Sequence, residues 1–164
     1  MSARSGDAAP RFDVALVGGG FRSLPDIVEP GGGIVVFFKS TCETSRLIVP
    51  RLGPLARAVA DEGMLFLVVA QEGEAEARKV HEELGLPGTL AWESAPFPAS
   101  ADYDVRSVPT LFVIDGAGVI AERLEGFMKR EYLALGAAIE QALALGDIPP
   151  ILERAEELPE FKPG

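Results

Sequence analysis

Cys42 is the only cysteine of the chain, and the residue three positions after it is Ser45. An unbroken apolar run from Ile34 to Phe38 leads towards the cysteine, and a helical pattern follows it. Dithiol redox enzymes place two cysteines at this spacing, because the second thiol resolves the mixed disulfide that the first one forms. Residues 42–45 therefore form a C-x-x-C site reduced to C-x-x-S. The pattern predicts one thiol that attacks a disulfide and no second thiol in the chain to complete the exchange.

A cysteine at the junction of a strand and a helix has two chemical advantages. The first turn of a helix has N–H groups without intrahelical partners and a partial positive charge, and both stabilise a thiolate. Lys39 lies close by in the sequence and adds another positive charge. Because thiolate is the nucleophilic form of cysteine, we expect Cys42 to be a reactive thiol. The alternative is a small buried residue without chemistry.

Pro109 is the second candidate for a functional position. It stands in the run Ser107-Val108-Pro109-Thr110, directly before another apolar strand. Peptide bonds before proline adopt the cis form far more readily than other peptide bonds do. Together with the corner at Cys42, this position predicts a cis Val108–Pro109 bond.

The elements that position these residues follow from hydrophobic periodicity and from turn residues. We expect strands at residues 12–17, 21–24, 34–39, 64–70, 89–92, 111–114 and 119–124, and helices at residues 44–61, 72–84 and 130–145. Pro50 should kink the first of these helices. The alternation of strand and helix between residues 34 and 84 implies right-handed crossovers and a parallel sheet.

The remaining segments are interpreted as loops and ends. Residues 1–10 are expected to form a flexible arm, residues 25–33 a loop, and residues 146–164 a tail with one short helix at residues 151–158. The run Gly31-Gly32-Gly33 is interpreted as a turn, because a phosphate-binding P-loop follows its strand and ends in Lys-Ser/Thr.

Composition and charge limit the class of protein. A chain of 164 residues with 48% apolar residues is long enough for one globular domain over residues 1–164, with its core at about residues 6–145. The net charge of −10 disfavours nucleic acid and anionic membranes as partners. We find neither a signal peptide nor a membrane span, and therefore expect a cytoplasmic protein. The only histidine, His81, lies far from Cys42 on a charged helix, so we expect no metal and no cofactor.

Several motifs in a fixed order resemble one protein superfamily. Residues 6–12 match G-x-x-A-P-x-F, Pro50 follows the cysteine at the spacing of a helix-kinking proline, and residues 103–110 match Y-x-V-x-x-x-P-T. The hairpin at residues 115–118 and Gly126 also fit. Over roughly residues 6–145, the chain resembles the thioredoxin superfamily, in particular its TlpA-like branch and the branch of alkyl hydroperoxide reductases and thiol-specific antioxidants (AhpC/TSA).

The resemblance implies both a fold and a site. The fold is a thioredoxin-like α/β structure: a central mixed sheet flanked by helices, an N-terminal β-hairpin, and a TlpA-type helical insertion at residues 72–85. Cys42 takes the nucleophilic position and Ser45 the resolving one. Thr41, Val108 and the cis proline Pro109 would bind an extended substrate, a disulfide- or thiol-bearing protein, or a low-molecular-weight thiol.

The sequence also departs from the working pattern of the family. Val36 stands where thioredoxins carry a buried carboxylate, and Thr41 stands where an aromatic residue usually precedes the cysteine. Peroxiredoxins need P-x-x-x-T-x-x-C, whereas this chain has Val35 and Lys39 at the proline and threonine positions.

These observations leave several functions open. The leading hypothesis is a thiol–disulfide oxidoreductase or isomerase that uses one cysteine and an external resolving thiol. The alternatives are a redox-inactive binding domain that keeps the fold, and a one-cysteine peroxidase whose sulfenic acid is reduced by an external thiol. Ser45 is either natural or a substitution made in a C-x-x-C parent.

Overall fold

The computed structural model describes residues 3–164, and its centre is a seven-stranded mixed sheet. The strands of this sheet are β1 (Asp13–Leu16), β2 (Phe21–Ser23), β3 (Gly32–Phe38), β4 (Leu65–Ala70), β5 (Thr89–Trp92), β6 (Thr110–Asp115) and β7 (Ile120–Glu125). Their order across the sheet is β2-β1-β5-β4-β3-β6-β7. The expected mixed sheet and the N-terminal hairpin of β1 and β2 are confirmed.

Strand β3 is the centre of the sheet, and all seven of its residues are buried. It pairs in parallel with β4 and antiparallel with β6, and β4 pairs in parallel with β5. The parallel pairing expected between residues 34 and 84 is confirmed for β3 and β4, and β5 continues it. The other strands enter through hairpins or reversed connections, which pair antiparallel.

The helices cover both faces of the sheet. They are α1 (Leu24–Val28), α2 (Glu43–Ile48), α3 (Gly53–Asp61), α4 (Glu74–Leu84), α5 (Pro98–Asp102), α6 (Lys129–Leu133) and α7 (Leu135–Leu143). The helix expected at residues 44–61 is divided into α2, a 3₁₀ turn at Val49–Leu52, and α3. Pro50 and Pro54 explain the division, because neither ring nitrogen can donate a helical hydrogen bond. Among residues 3–164, no helix is long and apolar enough to cross a membrane.

Three sequence expectations for the helical and loop regions were wrong in detail. The segment expected to be a loop at residues 25–33 contains α1, which begins with a capping box between Ser23 and Asp26. The final helix is two helices that meet at Ala134. In the tail, only Ala155–Glu157 forms a 3₁₀ turn where a longer helix was expected.

The expected flexible arm is also wrong for the residues that the structure describes; residues 1–2 lie outside them. Ala3 is fully buried, and the N–H groups of Gly6 and Ala9 each donate 2.8 Å hydrogen bonds, to the carbonyls of Ile120 and Gly118. The reason is that β7 is an edge strand, whose outer backbone groups need partners. Residues 3–10 supply them.

Gly32 shows why β3 begins with a glycine. Its φ is +117°, and a Cβ at this position would lie 2.5 Å from the carbonyl oxygen of Ile114 on the neighbouring strand. A side chain there would overlap the backbone of β6, so the glycine serves the close approach of two strands.

The tail returns along the molecule after α7. Ile151, Leu152 and Leu158 are buried in the core, and the Arg51 guanidinium donates 3.0 Å hydrogen bonds to the carbonyls of Glu153 and Arg154. A two-stranded ladder of β8 (Phe127–Met128) and β9 (Phe161–Lys162) then holds the last residues. Sequence patterning did not predict β9, because a strand of two residues has no periodicity to detect.

Candidate active site

Cys42 lies at the corner between β3 and α2, as the sequence predicts. It is the N-cap residue of α2, with an extended backbone of φ −93° and ψ 116°. Its N–H donates to the carbonyl of Lys39 at 3.0 Å, and its own carbonyl accepts from the N–H of Arg46 at 3.0 Å. The buried end of β3 therefore fixes the corner, and the half-buried thiol side chain emerges from it.

Two backbone groups contact the sulfur of Cys42. The S–H donates to the carbonyl oxygen of Val108 at 3.1 Å, and the Sγ atom accepts from the N–H of Ser45 at 3.4 Å. The first contact suits a neutral thiol, since a carbonyl oxygen cannot donate to a thiolate. The second contact suits both the thiol and the thiolate, because the Ser45 N–H can donate to the sulfur in either form.

The Val108–Pro109 peptide bond is cis, in agreement with the sequence prediction. The carbonyl of Pro109 accepts from the N–H of Gly126 at 2.8 Å, and the Thr110 hydroxyl donates to the carbonyl of Ser107 at 2.7 Å. These hydrogen bonds fix the turn on both sides of the proline. The carbonyl of Val108 is thereby held towards the thiol.

Ser45 occupies a site that suits a thiol better than a hydroxyl. The residue is fully buried, and its Oγ atom has no hydrogen-bond partner among residues 3–164. A buried hydroxyl without a partner costs about 1–3 kcal/mol, whereas a thiol is a weak donor that is buried readily. Ser45 thus lies beside Cys42, where a resolving cysteine would stand, and contributes its N–H group but no nucleophile.

An aromatic layer packs on the same face of the sheet as Cys42 and Val108. The Tyr103 ring contacts Phe12, Phe37 and Phe112 with centroid distances of 5.1–5.9 Å, and its hydroxyl donates to the carbonyl of Pro10 at 2.6 Å. Burial, with a smaller contribution from the Asp102 carboxylate, raises the pKa of Tyr103 well above its ordinary value. Tyr103 therefore acts as a neutral packing residue.

A cleft of about 470 Å³ opens beside the thiol. The residues that line it with Cys42 include side chains from four separate segments: Lys39, Gln71, Phe97, Ser100 and Arg106. The Lys39 ammonium lies 5.7 Å from the centroid of the Phe97 ring, and the Arg106 guanidinium lies 3.2 Å from the Asp104 carboxylate. Both charged side chains that line the cleft are cations.

Glu93 holds one wall of this cleft in place. Its buried carboxylate accepts hydrogen bonds from the N–H groups of Ala99 and Ser100, at 2.8 and 2.9 Å, and from the Ser100 hydroxyl at 2.5 Å. The Gln71 amide in turn donates to the Ser100 oxygen at 2.9 Å. This network satisfies the first turn of α5 and orients the polar wall of the cleft.

The structure brings together only some of the residues predicted from the sequence. Cys42 and Val108 are in contact, Ser45 adjoins the thiol, and Pro109 lies directly behind Val108. Thr41 is exposed and lies outside the residues that line the cleft. Val36 is fully buried in the apolar core, so this position supplies no carboxylate. His81 is exposed on α4.

Sequence reasoning missed the far wall of the cleft. Phe97 and Ser100 come from the stretch at residues 85–104 that shows no clear periodicity. The run Ala95-Pro96-Phe97-Pro98 was the available signal, because two prolines so close together mark a rigid turn; its Ala95–Pro96 bond is also cis. Arg106 stands inside the recognised segment at residues 103–110, at a position that the motif leaves open.

Known structures share this architecture at low sequence identity. A putative thiol:disulfide interchange protein DsbE from Chlorobium tepidum is 24% identical, with a TM-score of 0.76 over 87% of this chain and 99% of that one. A putative protein disulfide isomerase from Bacteroides thetaiotaomicron is 19% identical, with a TM-score of 0.77 over 89% and 96%. The thioredoxin domain of a thiol-disulfide oxidoreductase from Bacteroides vulgatus is 21% identical, with a TM-score of 0.68 over 77% and 91%. These likenesses show a thioredoxin-like fold.

Two further comparisons concern sequence. The chain is 33% identical over 96 residues to the ATPase ARSA1 of Chlamydomonas reinhardtii, which is 58% of this chain but only 12% of that protein. The family model described as the AhpC/TSA family matches residues 5–123, and this range contains the cysteine corner, the cis proline turn and every residue that lines the cleft except Gly164. The chain therefore belongs to the AhpC/TSA family.

Proposed function

We propose that the protein is a thiol–disulfide oxidoreductase or isomerase that acts through Cys42 alone. The observation that carries this proposal is the position of the half-buried Sγ atom. It lies 3.1 Å from the carbonyl of Val108, which precedes the cis proline, at the wall of a cleft of about 470 Å³. The Cys42 thiol thus lies beside both a cleft large enough for a substrate and the fixed backbone of Val108 and Pro109.

The reaction has two exchange steps. The Cys42 thiolate attacks one sulfur of a disulfide R–S–S–R′, forming Cys42–S–S–R and releasing R′–S⁻, which takes up a proton from solvent. An external thiolate R″–S⁻ then attacks the R sulfur of the mixed disulfide, which restores Cys42 and forms R–S–S–R″. The electrons for any net reduction come from the external thiol.

The N–H group of Ser45 and the first turn of α2 support the first step. Both face the sulfur and stabilise negative charge on it, whereas the Val108 carbonyl must lose its S–H donor before attack. Peroxidase chemistry receives less support, because Val35 and Lys39 stand at the positions where peroxiredoxins carry their proline and threonine.

The direct test is the reduction of insulin by dithiothreitol, with the intact chain compared with a Cys42→Ala variant. We expect the intact chain to accelerate the reaction and the variant to leave it at the uncatalysed rate. Ser45→Ala is the matched control, because it changes a neighbouring buried position and keeps the thiol. Equal rates for the intact chain and Cys42→Ala would remove the catalytic proposal.

A second candidate function is partner binding without redox chemistry. The observation that favours it is Val36, a buried apolar residue where thioredoxins carry the carboxylate that manages protons. For this function, Cys42 would remain a neutral thiol bonded to Val108. Slow alkylation by iodoacetamide at neutral pH, at a rate no higher than that of free cysteine, would support this second candidate.

A further inference from the structure

Residues 160–164, called the strap here, lie across one side of the thiol site. Strand β9 within the strap pairs antiparallel with β8, and the N–H of Lys129 donates to the carbonyl of Glu160 at 2.9 Å. The Lys129 ammonium also lies 3.8 Å from the Glu160 carboxylate. The strap therefore has its own attachment outside the main sheet.

The strap contacts the two residues that follow Cys42. The Thr44 hydroxyl donates to the carbonyl of Pro163 at 2.5 Å, and the Lys162 ammonium lies 3.4 Å from the Glu43 carboxylate. Thr44 is buried and Pro163 is exposed, so this hydrogen bond is partly buried, whereas the Glu43 side chain is 87% exposed. The strap is thus bound to the first turn of α2.

Gly164 brings the strap to the residue before the cis proline. A Cβ at this position would lie 2.5 Å from the carbonyl oxygen of Val108 and 3.0 Å from the Cβ of Ser107. Only a glycine approaches this carbonyl so closely without a shift of the backbone. The strap therefore extends from the start of α2 to Val108, the two backbone segments that border Cys42.

An extended peptide that docks by backbone pairing needs this same edge. While the strap lies there, Cys42 is reached through the cleft, whose lining includes Gly164 of the strap. The cleft volume of about 470 Å³ lies within the range of small-molecule sites. Lys39 and Arg106 give its walls positive charge, in a chain whose net charge is −10.

We propose that the strap takes the place of a peptide substrate, so that Cys42 exchanges with low-molecular-weight disulfides that carry carboxylates in preference to protein disulfides. This inference rests on the proposed function, because it assumes that Cys42 reacts with disulfides. The chemical step is the exchange described above, with a small anionic disulfide as R–S–S–R′ and a low-molecular-weight thiol as R″–SH. Lys39 and Arg106 hold the carboxylates, and the strap excludes an extended chain.

The first arm of the test measures charge preference. The single thiol is reacted with dithiobis(nitrobenzoate), whose halves carry carboxylates, and with neutral dithiodipyridine, with free cysteine as the reference thiol. The measured quantity is the ratio of the rate with the anionic reagent to the rate with the neutral one, each divided by the rate of free cysteine. We expect a double variant, Lys39→Gln with Arg106→Gln, to lower this ratio about threefold to tenfold. The double variant Lys79→Gln with Arg130→Gln removes the same charge at exposed positions outside the cleft and should leave the ratio unchanged.

The second arm measures exclusion by the strap. Gly164→Val places a side chain against the Val108 carbonyl and should displace the strap, whereas Gly146→Val adds the same side chain in open space. We expect Gly164→Val to raise the ratio of the insulin reduction rate to the dithiodipyridine rate at least about threefold. Circular dichroism of both variants shows whether the fold is kept.

The two proposals fail in different ways. A Cys42→Ala variant that matches the intact chain with every disulfide overturns the proposed function. A reactive Cys42 whose anion preference survives Lys39→Gln with Arg106→Gln, or whose ratio of the insulin rate to the dithiodipyridine rate is the same in Gly164→Val and Gly146→Val, overturns only the inference about substrate class.

Discussion

The two sides of Cys42 are held by very different forces. On one side, the corner follows β3, a strand whose seven residues are all buried at the centre of the sheet. On the other side, the strap of residues 160–164 depends on a two-residue ladder, on hydrogen bonds from Thr44 and Lys129, and on ion pairs with Glu43 and Lys129. Exposed ion pairs contribute about 0–1 kcal/mol, far less than a buried strand does.

This difference separates the placement of the thiol from the access to it. Core packing fixes where Cys42 stands, so moving it requires disruption of the sheet. The strap can open locally at a small free-energy cost, because few contacts join it to the molecule. A change of conditions or sequence at the strap should therefore alter which substrates reach the thiol and leave its chemistry intact.

The largest effect is expected from completing the motif on the rigid side. Ser45→Cys places a second thiol where the serine N–H already contacts the Cys42 sulfur at 3.4 Å. An intramolecular thiol has a high effective concentration, so the variant should release a mixed disulfide at least about 100-fold faster than the intact chain at micromolar external thiol. The protein is first labelled at Cys42 with nitrothiobenzoate, and stopped-flow absorbance then measures the rate at which the nitrothiobenzoate is released.

The control for this experiment is Ser45→Ala, which removes the unpartnered hydroxyl without adding a nucleophile. Its release rate should remain dependent on external thiol. If Ser45→Cys shows that same dependence, the rigid side does not hold residues 42 and 45 in the geometry described.

The next effect compares one substitution on the two sides. Phe37 is 1% exposed and packs against Tyr103 and Phe112, whereas Phe161 on the strap is 59% exposed. Phe37→Ala should lower the free energy of unfolding by about 3–5 kcal/mol through the cavity it leaves. Phe161→Ala should change it by no more than about 0.5 kcal/mol. Urea denaturation followed by circular dichroism gives both values, and similar losses would abolish the contrast between corner and strap.

The same contrast explains what the sequence predicted well. Strand β3 and the corner at Cys42 were visible because a long apolar run has one structural solution, a strand buried on both faces. The cis bond at Pro109 was predicted because a proline directly before a strand occurs together with the Cys42 corner. The strap carries no such signal, since its residues are mainly exposed and its position depends on contacts with α2 and Val108.

Two errors in the predicted elements share one physical origin. Residues 3–10 and β9 both pair with edges left by other strands. Edge pairing depends on backbone groups and leaves little trace in side-chain patterning. The wall formed by Phe97 and Ser100 was missed for a related reason, because Glu93 organises it through hydrogen bonds at distant positions.

A smaller effect on the free energy of unfolding is expected at high pH, because one buried tyrosine packs near the corner and another packs near the ladder that holds the strap. Burial raises the pKa of Tyr103, beneath the corner, and of Tyr132, which lies 5.3 Å from Phe127 of β8, well above the ordinary value. The pKa of each tyrosine is higher in the folded protein than its value of about 10 in the unfolded chain. Below pH 10 both states hold the proton, and above pH 10 the unfolded state loses it first, so the free energy of unfolding falls as the pH rises. Each tyrosine should contribute a loss of about 1.4 kcal/mol per pH unit there.

Tyr103→Phe and Tyr132→Phe separate the two contributions. Each variant should show a shallower fall of the unfolding free energy above pH 10, measured by urea denaturation at a series of pH values. Slopes are compared because Tyr103→Phe also loses the hydrogen bond to Pro10 at every pH. A variant whose curve runs parallel to that of the intact chain would show that its tyrosine ionises without unfolding.

The smallest effect concerns a single hydroxyl and tests the strap directly. Thr44→Val keeps the shape of the buried side chain and removes the hydrogen bond to Pro163. The freed carbonyl belongs to an exposed residue and can bond to water, so the loss should stay near about 1 kcal/mol. That value corresponds to about fivefold faster amide exchange at Phe161 and Lys162. Thr44→Ser, which keeps the hydroxyl, should show little change.

The amides of β3 provide the reference within the same measurement. They exchange through global unfolding, and Thr44→Val should leave them almost unchanged if the strap opens as an independent unit. Equal acceleration at β3 and at the strap would instead join the two sides into one cooperative unit. In that case, the strap could open only when the sheet unfolds. Access to Cys42 could then not change without a change in the position of Cys42 itself.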